Sequence, residues 1–341
     1  MRKKEIFMKG RDHVLPTIST LAESRKHRYG TPMIETPSPN RRRFIQGSLA
    51  HLALAPLAFE SVIGAEAKAK SRFEFCTFTK PLQHLSFEEM AKTIAAMGFD
   101  GIEGAIRPKG HIEPEQVPDR LPALVSALKA ENLNFTVMTT ALNEVSAEQN
   151  TEKILRTAAE QGVKRFRMGY YKYDLNRPIR PQLDEFRPKL KDLVALAKEV
   201  GIKPIYQNHS GKDYFAAPVW DLMEVFADFS PEHVGVAYDI GHATVEGAKS
   251  WPLSFATAFP YIDTVYLKEP FWKDNVLGWG PLGEGVVDKG FYKLLLKSGF
   301  SGPISVHVEY LGHDDPSVTP TILQAIEKDF ATAKSLLEIP A

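Results

Sequence analysis

The sequence predicts an α/β protein built as one (β/α)8 barrel, and three observations predict it. From Arg72 onward, short runs rich in β-branched and aromatic residues alternate with longer helical patterns, the signature of repeated βα units. About eight such units fill roughly 270 residues without a break in composition, the usual size of one barrel. No Gly-rich phosphate fingerprint follows the first strand, which disfavours the doubly wound open sheet.

Taken in order, the strands are expected at 73–78, 101–105, 135–140, 165–170, 203–208, 234–239, 264–268 and 304–309. Each leads into a helix or a loop before one. The first helix opens on Ser86-Phe87-Glu88-Glu89, where Ser and Glu three apart form a capping box ahead of Met90, Ile94 and Met97. Gly98 closes it. Gly201 and Gly299 mark the same stop ahead of the fifth and eighth strands, since glycine takes the left-handed conformation cheaply after a helix.

Composition narrows the function. The 341 residues are 43% hydrophobic and 25% charged, within the ordinary globular range. Forty-two basic residues balance 42 acidic ones, so nothing in the charge draws the chain to nucleic acid or to an anionic membrane. A small neutral partner is the expectation. The one cysteine, Cys76, lies in an apolar run, can form no intramolecular disulfide, and reads as a core thiol.

Residues 1–70 read as an N-terminal extension with an export signal, and 71–341 as the barrel domain. Asn40-Arg41-Arg42-Arg43-Phe44-Ile45-Gln46 precedes a mostly apolar stretch at 49–59, the pattern of a twin-arginine leader. Small residues at Gly64-Ala65-Glu66-Ala67 and Ala67-Lys68-Ala69 offer cleavage positions, so the mature chain would begin near 66–70. The apolar run is shorter than the about 20 residues of a membrane span and is broken by His51 and Pro56, which argues against a permanent anchor. A start at Met33 would leave a leader of more usual length. The expected partner is the twin-arginine export machinery, and the expected location is periplasmic or otherwise extracytoplasmic. A homo-oligomer is compatible with all of this.

An active site in such a barrel lies at the C-terminal ends of the strands, and reactive side chains gather there. The second strand ends at Glu103 and runs into Arg107 and His111. The fifth ends Gln207-Asn208-His209, the sixth Asp239-Ile240-Gly241-His242, the seventh Lys268-Glu269 followed by Trp272, and the eighth His307-Val308-Glu309. His307 and Glu309, two apart on a strand, share the barrel-facing side, with His307 deeper. Glu103 could instead be a solvated rim carboxylate, His242 a loop cap, and Trp272 and Trp279 packing residues rather than platforms for a sugar ring.

On these residues the chain resembles the sugar phosphate isomerase/epimerase family, the xylose isomerase-like TIM barrels. The resemblance covers 72–335 and rests on Gly98-Phe99-Asp100-Gly101-Ile102-Glu103, on Asp239 with His242, on Gly283-Glu284-Gly285 and on Glu309. It implies a carbohydrate substrate, a divalent ion such as Mn²⁺ or Zn²⁺, and proton removal next to a carbonyl through an enediolate. Gln207, His209, Asp239 and Glu309 would be the ligands; Glu309 or His209 would be the base, and Lys268 would polarise the carbonyl. Glu103, Arg107, His111, His242 and Trp272 would bind substrate. Two departures stand out: Gln207 replaces the family's usual glutamate on strand five, and Tyr266 its usual histidine on strand seven. The alternatives are a lyase or hydratase acting on a keto-sugar or keto-glycoside by β-elimination, and a non-catalytic carbohydrate-binding barrel.

Overall fold

Eight parallel strands close on themselves in the order β1-β10-β7-β6-β5-β4-β3-β2. They are β1 (Glu74–Phe78), β2 (Gly101–Ala105), β3 (Asn134–Thr139), β4 (Arg165–Arg167), β5 (Lys203–Gln207), β6 (Gly235–Asp239), β7 (Ile262–Leu267) and β10 (Pro303–Val306). The computed structural model describes residues 72–339. The twin-arginine segment, its cleavage positions and the boundary at residue 70 therefore lie outside the described residues. Among those described, no helix is long and apolar enough to cross a membrane.

The expected strands are all present, with ends displaced by at most three residues and the second matching at both ends. The largest displacements, at 168–170 and 307–309, fall where the chain leaves the ladder to form the rim. The exit is gradual, since the His307 N–H still donates to Leu267 O at 3.1 Å. After β7 the chain forms an antiparallel hairpin of β8 (Glu269–Lys273) and β9 (Val276–Gly280). Its two-residue turn, Asp274-Asn275, has φ of 51° and 62°, the left-handed geometry that Asp and Asn tolerate.

Helix α1 (Phe87–Ala96) starts on the expected capping box. Ser86 Oγ accepts from Glu89 N at 3.2 Å, and Ser86 N donates back to Glu89 Oε2 at 3.0 Å. Ser86→Ala is expected to lower stability by about 0.5–2 kcal/mol without altering the rim; the midpoint of a urea unfolding curve measures it. Gly98, Gly201 and Gly299 have φ of 87°, 78° and 81°, the left-handed stops predicted for them.

The main apolar core lies between the outer faces of the strands and the surrounding helices. Cys76 is wholly buried, and burial pushes its thiol pKa well up, so it behaves as a packing residue. Inside the barrel the lining changes with height. At the N-terminal end Asp263 pairs with Arg165 at 2.8 Å and with Lys203 at 3.1 Å. Val137, Ile205, Ala237 and Tyr266 form a small apolar layer. Two residues further along the same strands stand Thr139, Gln207, Asp239 and Lys268, joined by Glu103 and Arg167. Inward-facing residues recur every second position, so a strand can carry an apolar plug and a reactive rim on one face.

Candidate active site

Glu103 is a charged group of the rim and is fully buried. Its Oε1 accepts from Thr139 Oγ1 at 2.5 Å and from Tyr266 OH at 3.0 Å; its Oε2 accepts from Ser305 Oγ at 2.7 Å and lies 2.9 Å from His307 Nε2. Arg167 Nε stands 3.9 Å away. Burial opposes this charge, but the His307 and Arg167 cations and the hydrogen bonds outweigh it and hold the carboxyl down to about 2. The sequence reading assigned Glu103 to substrate contact. The structure instead makes it the floor beneath the site, because every lone pair faces a protein donor. Tyr266 supplies one of those donors.

Above the floor, Glu309 is the open carboxylate of the cluster, its side chain 18% exposed against 0% for Glu103. Lys268 Nζ lies 2.6 Å from its Oε2, His307 Nδ1 lies 3.5 Å from the same oxygen, and Lys80 Nζ is 3.3 Å from Oε1. Burial works against the Glu309 charge, yet Lys268 and His307 hold its pKa well below the usual carboxylate range. His307, between the two carboxylates, is raised despite burial because Glu103 and Glu309 both favour the imidazolium. The Trp279 ring covers Lys268, with Nζ 4.5 Å from the centroid, and packs edge-on to His242.

The ends of β5 and β6 form the opposite wall. Gln207 donates from Nε2 to Asp239 Oδ2 at 2.8 Å, while its Oε1 accepts from Tyr170 OH at 2.5 Å and from Arg167. Asp239 Oδ1 caps the helix Ile240–Gly247 by accepting the His242 N–H at 3.0 Å. Asn208 braces the same corner, taking the Asp239 N–H at 2.8 Å and giving its own amide to Asp239 O at 2.9 Å. Burial raises Asp239 and lowers His242, whose Nδ1 meets Ser210 Oγ at 2.8 Å and whose Nε2 is 3.6 Å from Asp239 Oδ2. His209 packs against Tyr214 and His242, turns Nδ1 to Ser210 O at 2.9 Å, and is lowered by burial and by Lys268 to about 4. It is therefore a neutral imidazole near pH 7.

These partners decide the fit of a divalent ion. A metal needs free lone pairs converging on one point. Of the four expected ligands, Gln207 accepts from a guanidinium and a phenol, Glu309 carries two lysines, Asp239 caps a helix and binds an amide, and His209 leaves one nitrogen. Among the described residues, no three His, Cys, Asp or Glu side chains gather as an ion would require. The expected Mn²⁺ or Zn²⁺ centre does not fit this arrangement, where Lys268, Lys80 and Arg167 already supply the positive charge.

Around this centre the remaining expectations divide. Arg107 lies at the mouth over the Phe78 ring, 5.9 Å from its centroid, and is partly exposed. His111 is buried with Nε2 2.8 Å from Thr79 O and is lowered by burial to about 4, so it braces a loop rather than meeting substrate. Trp272 is 53% exposed near the hairpin tip, and it is Trp279, two cross-strand positions nearer the barrel on the same face, that covers Lys268. Glu269 faces away from the centre and holds the 283–287 loop, accepting from Gly283 N and Val287 N at 2.8 Å each. A Cβ at Gly285 would stand 2.2 Å from Pro270 O, so this loop position requires glycine.

Lys80, Arg167, Tyr170 and Ser305 are site residues that the sequence reading missed. A signal existed for two of them: Lys80 follows the end of the first strand, and Arg167 is a charged residue inside the fourth, both at rim positions where polar groups carry chemistry.

A closed eight-stranded barrel with ionised side chains crowded at the C-terminal rim defines a (β/α)8 barrel protein of enzymatic build. Residues 91–329 match the family model described as xylose isomerase-like TIM barrel, more than half the chain, and the protein belongs to that family. No curated protein matches the sequence. Among solved structures, the chain is similar to the probable 3-DHS dehydratase AsbF from Bacillus anthracis (16% identity, TM-score 0.60, covering 76% of this chain and 99% of that one). It is similar to the 3-keto-D-glucoside 4-epimerase YcjR from E. coli (17%, 0.59, 77% and 99%) and to an IOLI protein with a bound zinc atom (16%, 0.63, 78% and 98%). At these identities the likeness shows the shared fold.

Proposed function

We propose that the protein is a carbohydrate-active enzyme of the isomerase/epimerase type that removes a proton next to a sugar carbonyl. The observation that carries this reading is Glu309, the partly exposed carboxylate of the barrel rim, held by Lys268 at 2.6 Å, Lys80 at 3.3 Å and His307 at 3.5 Å. Lys268 donates to the carbonyl oxygen and Glu309 takes the proton from the adjacent carbon, so the electron pair of the broken C–H bond comes to rest on an oxygen facing an ammonium group. A carboxylate paired this closely is a weak base. When the substrate oxygen draws Lys268 away, Glu309 loses its strongest counter-charge and its basicity rises at the step that needs it.

The enediolate then has two fates. Return of the proton to the same or the neighbouring carbon gives epimerisation or isomerisation; departure of a substituent from the carbon beyond gives β-elimination. The lyase reading is favoured by Gln207, since an amide tied to Arg167, Tyr170 and Asp239 offers no second base across the site. Neighbours of this fold described as an epimerase and as a dehydratase support both fates. An exported enzyme would meet unphosphorylated sugars.

The test is solvent exchange. Incubated in D₂O with keto-sugars, the enzyme is expected to incorporate deuterium at the carbon next to the carbonyl. Lys268→Met is expected to slow this roughly 10²–10³-fold, the cost of removing one donor to a developing oxyanion. Dialysis against a chelator, with the metal content measured before and after, is expected to leave the rate unchanged. Absence of exchange with every keto-sugar tried would leave the carbohydrate-binding barrel as the better account.

A further inference from the structure

A second cavity opens beside the reaction centre, with a volume of about 530 Å³, within the roughly 300–1,000 Å³ range of small-molecule sites. Its walls are apolar where Leu175, Ile179, Val245 and Leu277 line it, and among the described residues Leu175 and Ile179 are left 56% and 42% exposed. Ser210, Lys212 and Glu246 add hydrogen-bonding groups. Faces of this kind suit a ring that is apolar on its plane and polar at its edge.

The cavity is joined to the centre through shared residues. Ser210 lines it and also holds His242 Nδ1 at 2.8 Å, and Tyr214 lines it and stacks on His209 with centroids 4.6 Å apart. The hairpin makes the same link from above. Antiparallel register puts Trp279, Leu277 and Trp272 on one face, so one strand presents Trp279 to Lys268 and Leu277 to the cavity.

Resting on the proposed reaction at Lys268 and Glu309, we infer that the substrate is a glycoside, its reacting ring at that pair and its second ring in this cavity. A free monosaccharide would leave the cavity unused. The second ring adds contacts away from the reacting carbon, which act mainly on binding and orientation.

The experiment compares the methyl and phenyl pyranosides of glucose, galactose, mannose and xylose, both anomers, binding to the full chain by calorimetry. At least one phenyl glycoside is expected to bind tenfold or more tightly than its methyl counterpart. Val245→Trp, which fills the cavity, is expected to erase that gain and leave methyl glycoside binding unchanged. Leu277→Asp is expected to do the same through the opposite wall, and it decides the matter if the tryptophan variant loses the circular dichroism of the barrel. Equal binding of phenyl and methyl partners across the panel overturns the inference, as does a gain that survives in a folded variant. Deuterium exchange with no phenyl gain sinks the second-ring site alone, whereas a phenyl gain with no exchange sinks the reaction and leaves the site.

Discussion

Glu309→Gln is expected to lower turnover roughly 10²–10⁴-fold, the usual contribution of a positioned acid/base group, with the barrel intact. The amide keeps the shape of the carboxylate and can still accept from Lys268, but it cannot take a proton. The loss should therefore appear in kcat, with substrate binding changed far less. The pH profile gives an independent check. His307 has its pKa raised above the ordinary 6.5 by Glu103 and Glu309, against the opposing effect of burial. As pH rises through that raised value the imidazolium loses its proton, and two carboxylates are left facing each other across a neutral ring. Activity is expected to fall along this alkaline limb, and His307→Gln should remove the limb. A wild-type profile flat across that range, or Glu309→Gln at full turnover, would sink the assignment of the base.

The largest stability effect is expected at Glu103. Glu103→Gln takes from the buried His307 and Arg167 charges the carboxylate beneath them, leaving His307 only Glu309 at 3.5 Å, and breaking a buried pair from one side costs about 3–5 kcal/mol. The effect carries a pH signature. Glu103 is depressed from 4.5 to about 2, so its contribution is present above pH 4.5 and is lost as pH falls through about 2. His307 is raised from 6.5, so its contribution is full below 6.5 and is lost as pH rises through its folded value. The gap between wild type and Glu103→Gln should therefore be widest between about pH 4.5 and 6.5 in urea unfolding curves. A gap below 1 kcal/mol throughout that window would show that the floor is not an ion cluster.

Glu103, Glu309 and Lys268 were all legible in the sequence as site residues, because each is a charged group in or just after an apolar strand run, but their roles were not. The stagger of a closed sheet sets the height of each strand relative to its neighbours. Glu103 pairs in register with Phe78 and Val137 and so sits low, among Thr139, Tyr266 and Ser305. Nothing local to the second strand reveals that depth. The same holds for the metal expectation: four oxygen and nitrogen donors at strand ends look like ligands until Arg167 from the fourth strand is seen to hold Gln207, and Lys80 and Lys268 to hold Glu309. The hairpin carried a signal in Asp274-Asn275 between two runs, which the length of the segment obscured.

The sequence by itself determined the elements whose causes are local: the Ser86 box that starts α1, the left-handed glycines at 98, 201 and 299, the burial of Cys76, and the alternation that makes eight βα units. Propensity, capping and periodicity act over a few residues, so they can be read along the chain. Only the tertiary structure decided which charges meet. Lys268 and Glu309 are 41 residues apart and Glu103 and His307 are 204 apart, and closure of the barrel brings each pair within 3 Å. Whether a carboxylate serves as floor, base or ligand depends on the partners around it after closure, because pairing and burial, rather than residue type, set its charge and its free lone pairs.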